Sequence, residues 1–213
     1  MGGGKSDGIY AVVDWGWNEE PSYETPVRWH TEDADTDPWE WRIRVLAERD
    51  DIAYGKLFFK KSGYITKEWY PYFLAARRGD TSFEEAYESG KMSHFAKRIY
   101  GVILANKSLP TEEIKRLGGF SKEDKARFDA AICDLQMKMF LTTDGKKNRR
   151  KISGEEYGWA SVTYCTTELF WEHTDVFEIA KKITKEEAIE KISNQVLKLN
   201  PVADEKKIRK FIT

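Results

Sequence analysis

From Ser93 onward the apolar residues recur at helical spacing. Phe95, Ile99, Val102 and Ile103 share one helical face, which predicts a helix ending near Lys107. Leu109-Pro110-Thr111-Glu112-Glu113-Ile114 predicts a second helix with Thr111 as its cap, stopped by Gly118-Gly119. Ser121-Lys122-Glu123-Asp124 caps a third, in which Phe128, Ile132, Leu135 and Met139 fall at i, i+4, i+7 and i+11 and line one stripe. Leu141 to Thr143 then reads as a strand, Gly145 to Lys151 as a hairpin tip, and Trp159 to Cys165 as a returning strand. Three helices followed by a hairpin is winged-helix order, so residues 93–167 are predicted to form a winged helix-turn-helix domain.

Upstream the pattern is less regular. Residues 1–27 are Gly-rich, then aromatic and interrupted by Pro21 and Pro26, and predict a flexible leader and arm. In Asp37-Pro38-Trp39-Glu40-Trp41-Arg42 an Asp cap precedes a Pro suited to the first helical position, although Ile43, Val45 and Leu46 fit helix or strand. The aromatic stretch Tyr64 to Leu74 predicts a core-wedged helix capped by Thr66, with Pro71 early enough to be tolerated. Ser82-Phe83-Glu84-Glu85 is a capping-box pattern that opens a short helix to about Glu88, and Ser89-Gly90 closes an α+β unit over 28–90. Residues 168–213 predict a C-terminal helical extension. Thr184-Lys185-Glu186-Glu187 opens one helix, Pro201 stops it, and Ala203 to Ile212 forms a last, basic one. The predicted class is α+β, with a winged-helix core.

At 213 residues, 40% hydrophobic and 33% charged, the chain has enough apolar material for a substantial core and a well-charged surface. No apolar run approaches the roughly 20 residues that span a bilayer, and the N-terminal residues lack the apolar stretch of a secretory signal, so no membrane association is expected. Met1-Gly2-Gly3-Gly4-Lys5-Ser6 fits a loose acylation pattern, but a flexible leader explains it as well. Two cysteines, Cys133 and Cys165, are too few for a metal framework, and His30, His94 and His173 are scattered. The expectation is a reduced, cytoplasmic chain with neither metal nor cofactor.

A net charge of −1 excludes a generic polyanion binder, yet Lys146 to Lys151 places five cations in six positions. Lys146, Lys147, Arg149, Arg150 and Lys151 at a wing tip would neutralise phosphates without reading sequence. The competing reading is a solvated tip. On the third helix Lys122, Lys125 and Arg127 are phosphate candidates, and Gln136 is a candidate for a base edge or a water, or else an ordinary surface amide. Asp129 and Asp134 interrupt that basic side. Trp39, Trp41 and Trp69 belong to an aromatic set able to stack on an extruded base or to fill a core. Asp37 and Glu40 are the carboxylates beside it, with helix-cap and first-turn roles as the alternative to polarising a water.

Several blocks of the chain resemble bacterial AlkZ-related proteins. They are Trp29-His30-Thr31 with Asp37 to Arg42, Ala53-Tyr54-Gly55-Lys56, Lys67-Glu68-Trp69-Tyr70-Pro71, Asp134 to Met139, Glu156-Tyr157-Gly158-Trp159 and Cys165-Thr166-Thr167-Glu168, and the similarity runs from about Trp29 to Ile212. The resemblance implies winged-helix domains and duplex DNA as partner. It also implies a superfamily that includes DNA glycosylases excising alkylated bases through a Gln-x-Gln type motif. Here the nearest string is Gln136-Met137-Lys138, with Lys in the second Gln place, so the catalytic role is not carried over. The leading expectation is DNA binding linked to alkylation repair. The alternatives are an active glycosylase and a non-enzymatic regulatory or protein-interaction module.

Overall fold

The computed structural model describes residues 18, 20–31, 33, 35–147 and 161–213, with the side chains of Arg42, Ile43 and Lys146 outside that set. Most of the predicted leader at 1–27, the hairpin tip from Asn148 to Lys151, and Tyr157 and Trp159 also lie outside the described residues.

In chain order the elements are α1 (Pro38–Glu48), β1 (Ile52–Phe58), β2 (Lys61–Thr66), α2 (Tyr70–Arg77), α3 (Phe83–Glu88), α4 (His94–Asn106), β3 (Ser108–Pro110) and α5 (Thr111–Leu117). A 3-10 turn (Lys122–Asp124) then leads into α6 (Lys125–Met137), β4 (Leu141–Lys147), β5 (Ser161–Thr166), α7 (Thr167–Phe170), α8 (Val176–Ala180), α9 (Lys185–Leu199) and α10 (Glu205–Ile212). The class is α+β, and the strand pairings β1–β2, β4–β5 and β3–β5 are antiparallel. No helix among the described residues is long and apolar enough to cross a membrane.

The chain divides into two compact units. One comprises the described residues up to Gly79 together with those from Ile179 onward; the other is Asp80–Glu178. This grouping differs from the sequence expectation of successive segments 28–90, 93–167 and 168–213. Residues from Ile179 on fold with the first unit because α9 packs on α2 and α10 on both. α3 joins the second because Phe83 stacks on Tyr100 of α4, centroids 4.1 Å apart, and meets Phe140 edge-on at 5.4 Å.

Within the first unit, Asp37 caps α1 as its sequence predicts, accepting from the Trp39 amide at 2.8 Å. The predicted helix over Tyr64 to Leu74 is corrected: Lys61–Thr66 is a strand, and the helix begins only at Tyr70, with Pro71 in its first turn. Tyr54 and Tyr64 face each other across the pair at 5.0 Å, and Gly63 lies against the Phe58 ring, where a Cβ would come within 2.6 Å of it. Cross-strand packing therefore overrides the helical reading of this aromatic stretch.

The second unit follows its sequence pattern closely, except that Thr111, expected as a cap, is the first residue of α5 and follows Pro110 at the cap position. Ser82 forms the capping box, Ser93 caps α4, and Phe128, Ile132, Leu135 and Met139 are all buried. Its sheet order is β4-β5-β3, and β3, at Ser108–Pro110, is a strand that the sequence pattern does not announce. The core joins Ile99 and Ile103 of α4 to Ile114, Phe128, Leu135 and Leu141.

Candidate nucleic-acid interface

The basic run begins inside β4 rather than beyond it. Lys146 pairs with Val162 and Lys147 with Ser161, so the strands carry the chain out to these two lysines. Lys147 is exposed, with its Nζ 3.9 Å from Glu113 of α5. Arg149, Arg150 and Lys151 lie outside the described residues, and Lys146 is placed by its backbone alone.

At the base of the hairpin the register shifts between Thr143 and Gly145, which makes Asp144 the extra residue of a β-bulge. Burial first, then the charge of Asp144 and then that of Glu168, raise the pKa of the buried Cys165 thiol. The strand expected over Leu141 to Thr143 stops short of Asp144, because bulge geometry leaves no local signal there.

The third helix exposes only its beginning. Lys125, Ala126, Arg127, Asp129 and Ala130 are exposed, whereas Ala131, Ile132, Cys133, Leu135 and Gln136 are buried. Gln136 is 2% exposed, and its Nε2 donates back to the Ile132 carbonyl at 3.0 Å. It is therefore not an ordinary surface amide, because the end of α6 is buried around it. Asp134, expected to spoil the basic side, is paired with Lys138 at 2.8 Å. Asp129 remains exposed.

The approach to α6 is pinned by cations on aromatic rings. Arg98 of α4 lies 4.3 Å from the Phe120 ring centre and donates to the carbonyls of Gly118 and Gly119. Arg127 lies 4.9 Å over Phe95 and bonds Asp124 at 3.1 Å, and Lys115 sits 4.7 Å over Phe128. The Ser121 amide and hydroxyl bond the Asp124 carboxylate and hold it below the usual range. The corner between α5 and α6 is thereby fixed. It presents Lys122 and Lys125, which form no ion pair among the described residues. Arg98 and Phe120 escaped sequence reading, and Phe95 was read only as part of a helix face, because each acts here through partners distant in the chain.

The remaining candidates belong to the first unit. Asp37 is 1% exposed and accepts from the amides of Thr31 and Trp39, so its oxygens serve the turn and the helix cap. Glu40 lies half-buried in the first turn of α1. Trp39 is 40% exposed beside His30, at 5.7 Å, while Trp41 and Trp69 are half-buried, Trp69 against Tyr72 at 5.8 Å. Of the three tryptophans, Trp39 offers the most open ring.

Comparison with known proteins gives one match. A family model described as AlkZ related covers residues 14–213. Neither a curated protein nor a solved structure matches the chain.

Proposed function

The chain belongs to the AlkZ-related family, and on that premise we propose that it binds duplex DNA through a winged-helix second unit and serves the repair of alkylation damage. The family match over residues 14–213 carries this reading. The order α4, β3, α5, α6, β4, β5, with β5 between β4 and β3, supports the winged-helix assignment. In such a domain α6 would be the recognition helix, and its N-terminal turns, the part open to solvent here, would enter the groove. Lys122 and Lys125 would contact phosphate at that end. Lys146 and Lys147 would do so at the wing, together with Arg149, Arg150 and Lys151 of the same basic run.

Arg127 is a weaker phosphate candidate than its charge suggests, being held by Asp124 and the Phe95 ring. Binding is tested by fluorescence anisotropy with random-sequence duplex across a salt series. Lys147→Glu with Arg150→Glu should make the log–log salt slope shallower by about 2. Unchanged affinity and slope would remove the wing from the interface.

Excision is a separate question, answered by assaying base release from alkylated duplex. Gln136 and Asp37 are both engaged in structural hydrogen bonds, which weighs against either as the group that acts on a lesion.

A further inference from the structure

We propose that the first unit carries its own phosphate-contacting surface, built from Lys60 at the tip of the β1–β2 hairpin and Lys206, Lys207 and Lys210 of α10, and that it holds the backbone of duplex DNA. The inference rests on the DNA-binding reading above and extends it to a part of the chain outside the winged-helix unit.

α10 turns Ile208 and Ile212 inward, at 4% and 1% exposure, and leaves Lys206, Lys207, Arg209 and Lys210 exposed. Arg44, Arg49, Arg127, Lys138 and Lys147 all have a carboxylate partner. Among the described residues none of the four α10 cations forms an ion pair, and neither does Lys60. The helix dipole accounts for Arg209 and Lys210 in the last turn but not for Lys206 and Lys207. These lie in the first turn, where the dipole favours anions. Among the described residues neither nearby carboxylate pairs with them: Asp204 caps the helix, accepting from the Lys207 amide at 3.0 Å, and Glu205 lies on the Arg209 flank, away from Lys207.

The hairpin tip adds to the same flank. Phe58 pairs with Lys61, so Phe59 and Lys60 alone form the turn, at φ 51° and 62°. Glycine or asparagine usually occupies such positions, and an L-residue with a long side chain is strained there. Phe59 lies 6.1 Å from Phe211, which places the tip against α10. Lys207 precedes Phe211 by one helical turn and therefore stands on the tip side. A strained turn that keeps a lysine, beside lysines that the helix dipole disfavours, is explained by an external polyanion. Among polyanions a duplex backbone is favoured over an anionic membrane. The apolar side of α10 is already buried in the protein, so no face remains to insert into lipid.

The test uses the full chain and a labelled random-sequence duplex, titrated by anisotropy from low to moderate salt. Changing Lys60, Lys206, Lys207 and Lys210 together to Gln should make the salt slope shallower by about 3 to 4 and weaken binding about tenfold or more. Circular dichroism and thermal melting check the fold. Should the fourfold variant misfold, Lys60→Gln and Lys207→Gln made singly should each reduce the slope by about 1. An unchanged slope in variants that fold, with the wing variant still defective, would overturn this surface and leave the winged-helix reading intact. A wild-type chain that does not bind duplex would overturn both. So would binding to phosphatidylserine vesicles without binding to duplex.

Discussion

The rings of Phe58 and Phe211 stack with centroids 4.4 Å apart and planes 14° from parallel, fastening the end of β1 to the last turn of α10. Arg77 completes the joint. Its guanidinium lies 5.3 Å over Phe58 and 5.1 Å over Phe73, and donates to the carbonyls of Phe211 at 2.8 Å and Ile212 at 2.7 Å. Burial lowers its pKa to about 10, so it remains charged at neutral pH. Two carbonyls left open at the end of α10 are thus satisfied by a buried cation.

Phe211→Ala should therefore destabilise the protein by about 2 to 3 kcal/mol, below the 3–5 kcal/mol of a fully buried Phe because the ring is only half-buried. Urea denaturation followed by circular dichroism measures this, and hydrogen exchange should show weakened protection in both β1 and α10. A loss under 0.5 kcal/mol would mean that α10 is held by Ile208 and Ile212 alone.

Lys60→Gly should act in the opposite direction on stability. A left-handed L-residue costs about 1–2 kcal/mol, and the extra chain entropy of glycine costs about 0.5–1 kcal/mol. The net gain should be about 0.5 kcal/mol, read as a higher melting temperature. The same variant should bind duplex less tightly. A rise in stability with a fall in affinity identifies a position where backbone strain is kept for contact with a partner. A destabilised variant would instead show that the lysine stem packs on the tip.

What the sequence made legible was what depends on neighbours in the chain. The caps at Asp37, Ser82 and Thr184 were readable because capping uses residues within one turn, and all three are present. The caps expected at Thr66 and Thr111 are not, since α2 starts after Trp69 and α5 after Pro110. The stripe on α6 was readable because burial repeats with the helix. Tyr64 to Thr66 was not, since aromatic residues suit both elements and the choice fell to Tyr54 and Phe58 on the facing strand. β3 is only three residues long and owes its existence to β5. In the candidate interface, the cations and hairpin strands were legible. The clamp of Arg98 on Phe120 and the burial of Gln136 were not, because both depend on packing between elements.

Gln136→Ala separates a core role from a contact role. The substitution removes the hydrogen bond to Ile132 and opens space beside α6, so stability should fall by about 1–3 kcal/mol. The salt slope of duplex binding should stay at the wild-type value, because no phosphate contact is lost. A folded, stable variant with weakened DNA affinity would instead place the amide at the nucleic acid.

Cys165 should make stability fall in alkali. The residue is 2% exposed, and its backbone pairs in the sheet with Thr142 and Ser108. Burial first, and then Asp144, hold its pKa above the ordinary 9.0, so the native state keeps its proton after the unfolded chain has released it. The contribution of this group is therefore complete below about pH 9 and declines above that, by up to about 1.4 kcal/mol per pH unit. Cys165→Ala cannot titrate. It should be less stable than wild type at pH 7.5 by about 1 kcal/mol, through lost packing, yet lose less stability between pH 8.5 and 10. Every other group is common to the two proteins, so the difference between the two urea-denaturation series isolates Cys165. Parallel curves would mean that water reaches the thiol and that the Asp144 bulge does not seal the base of the hairpin.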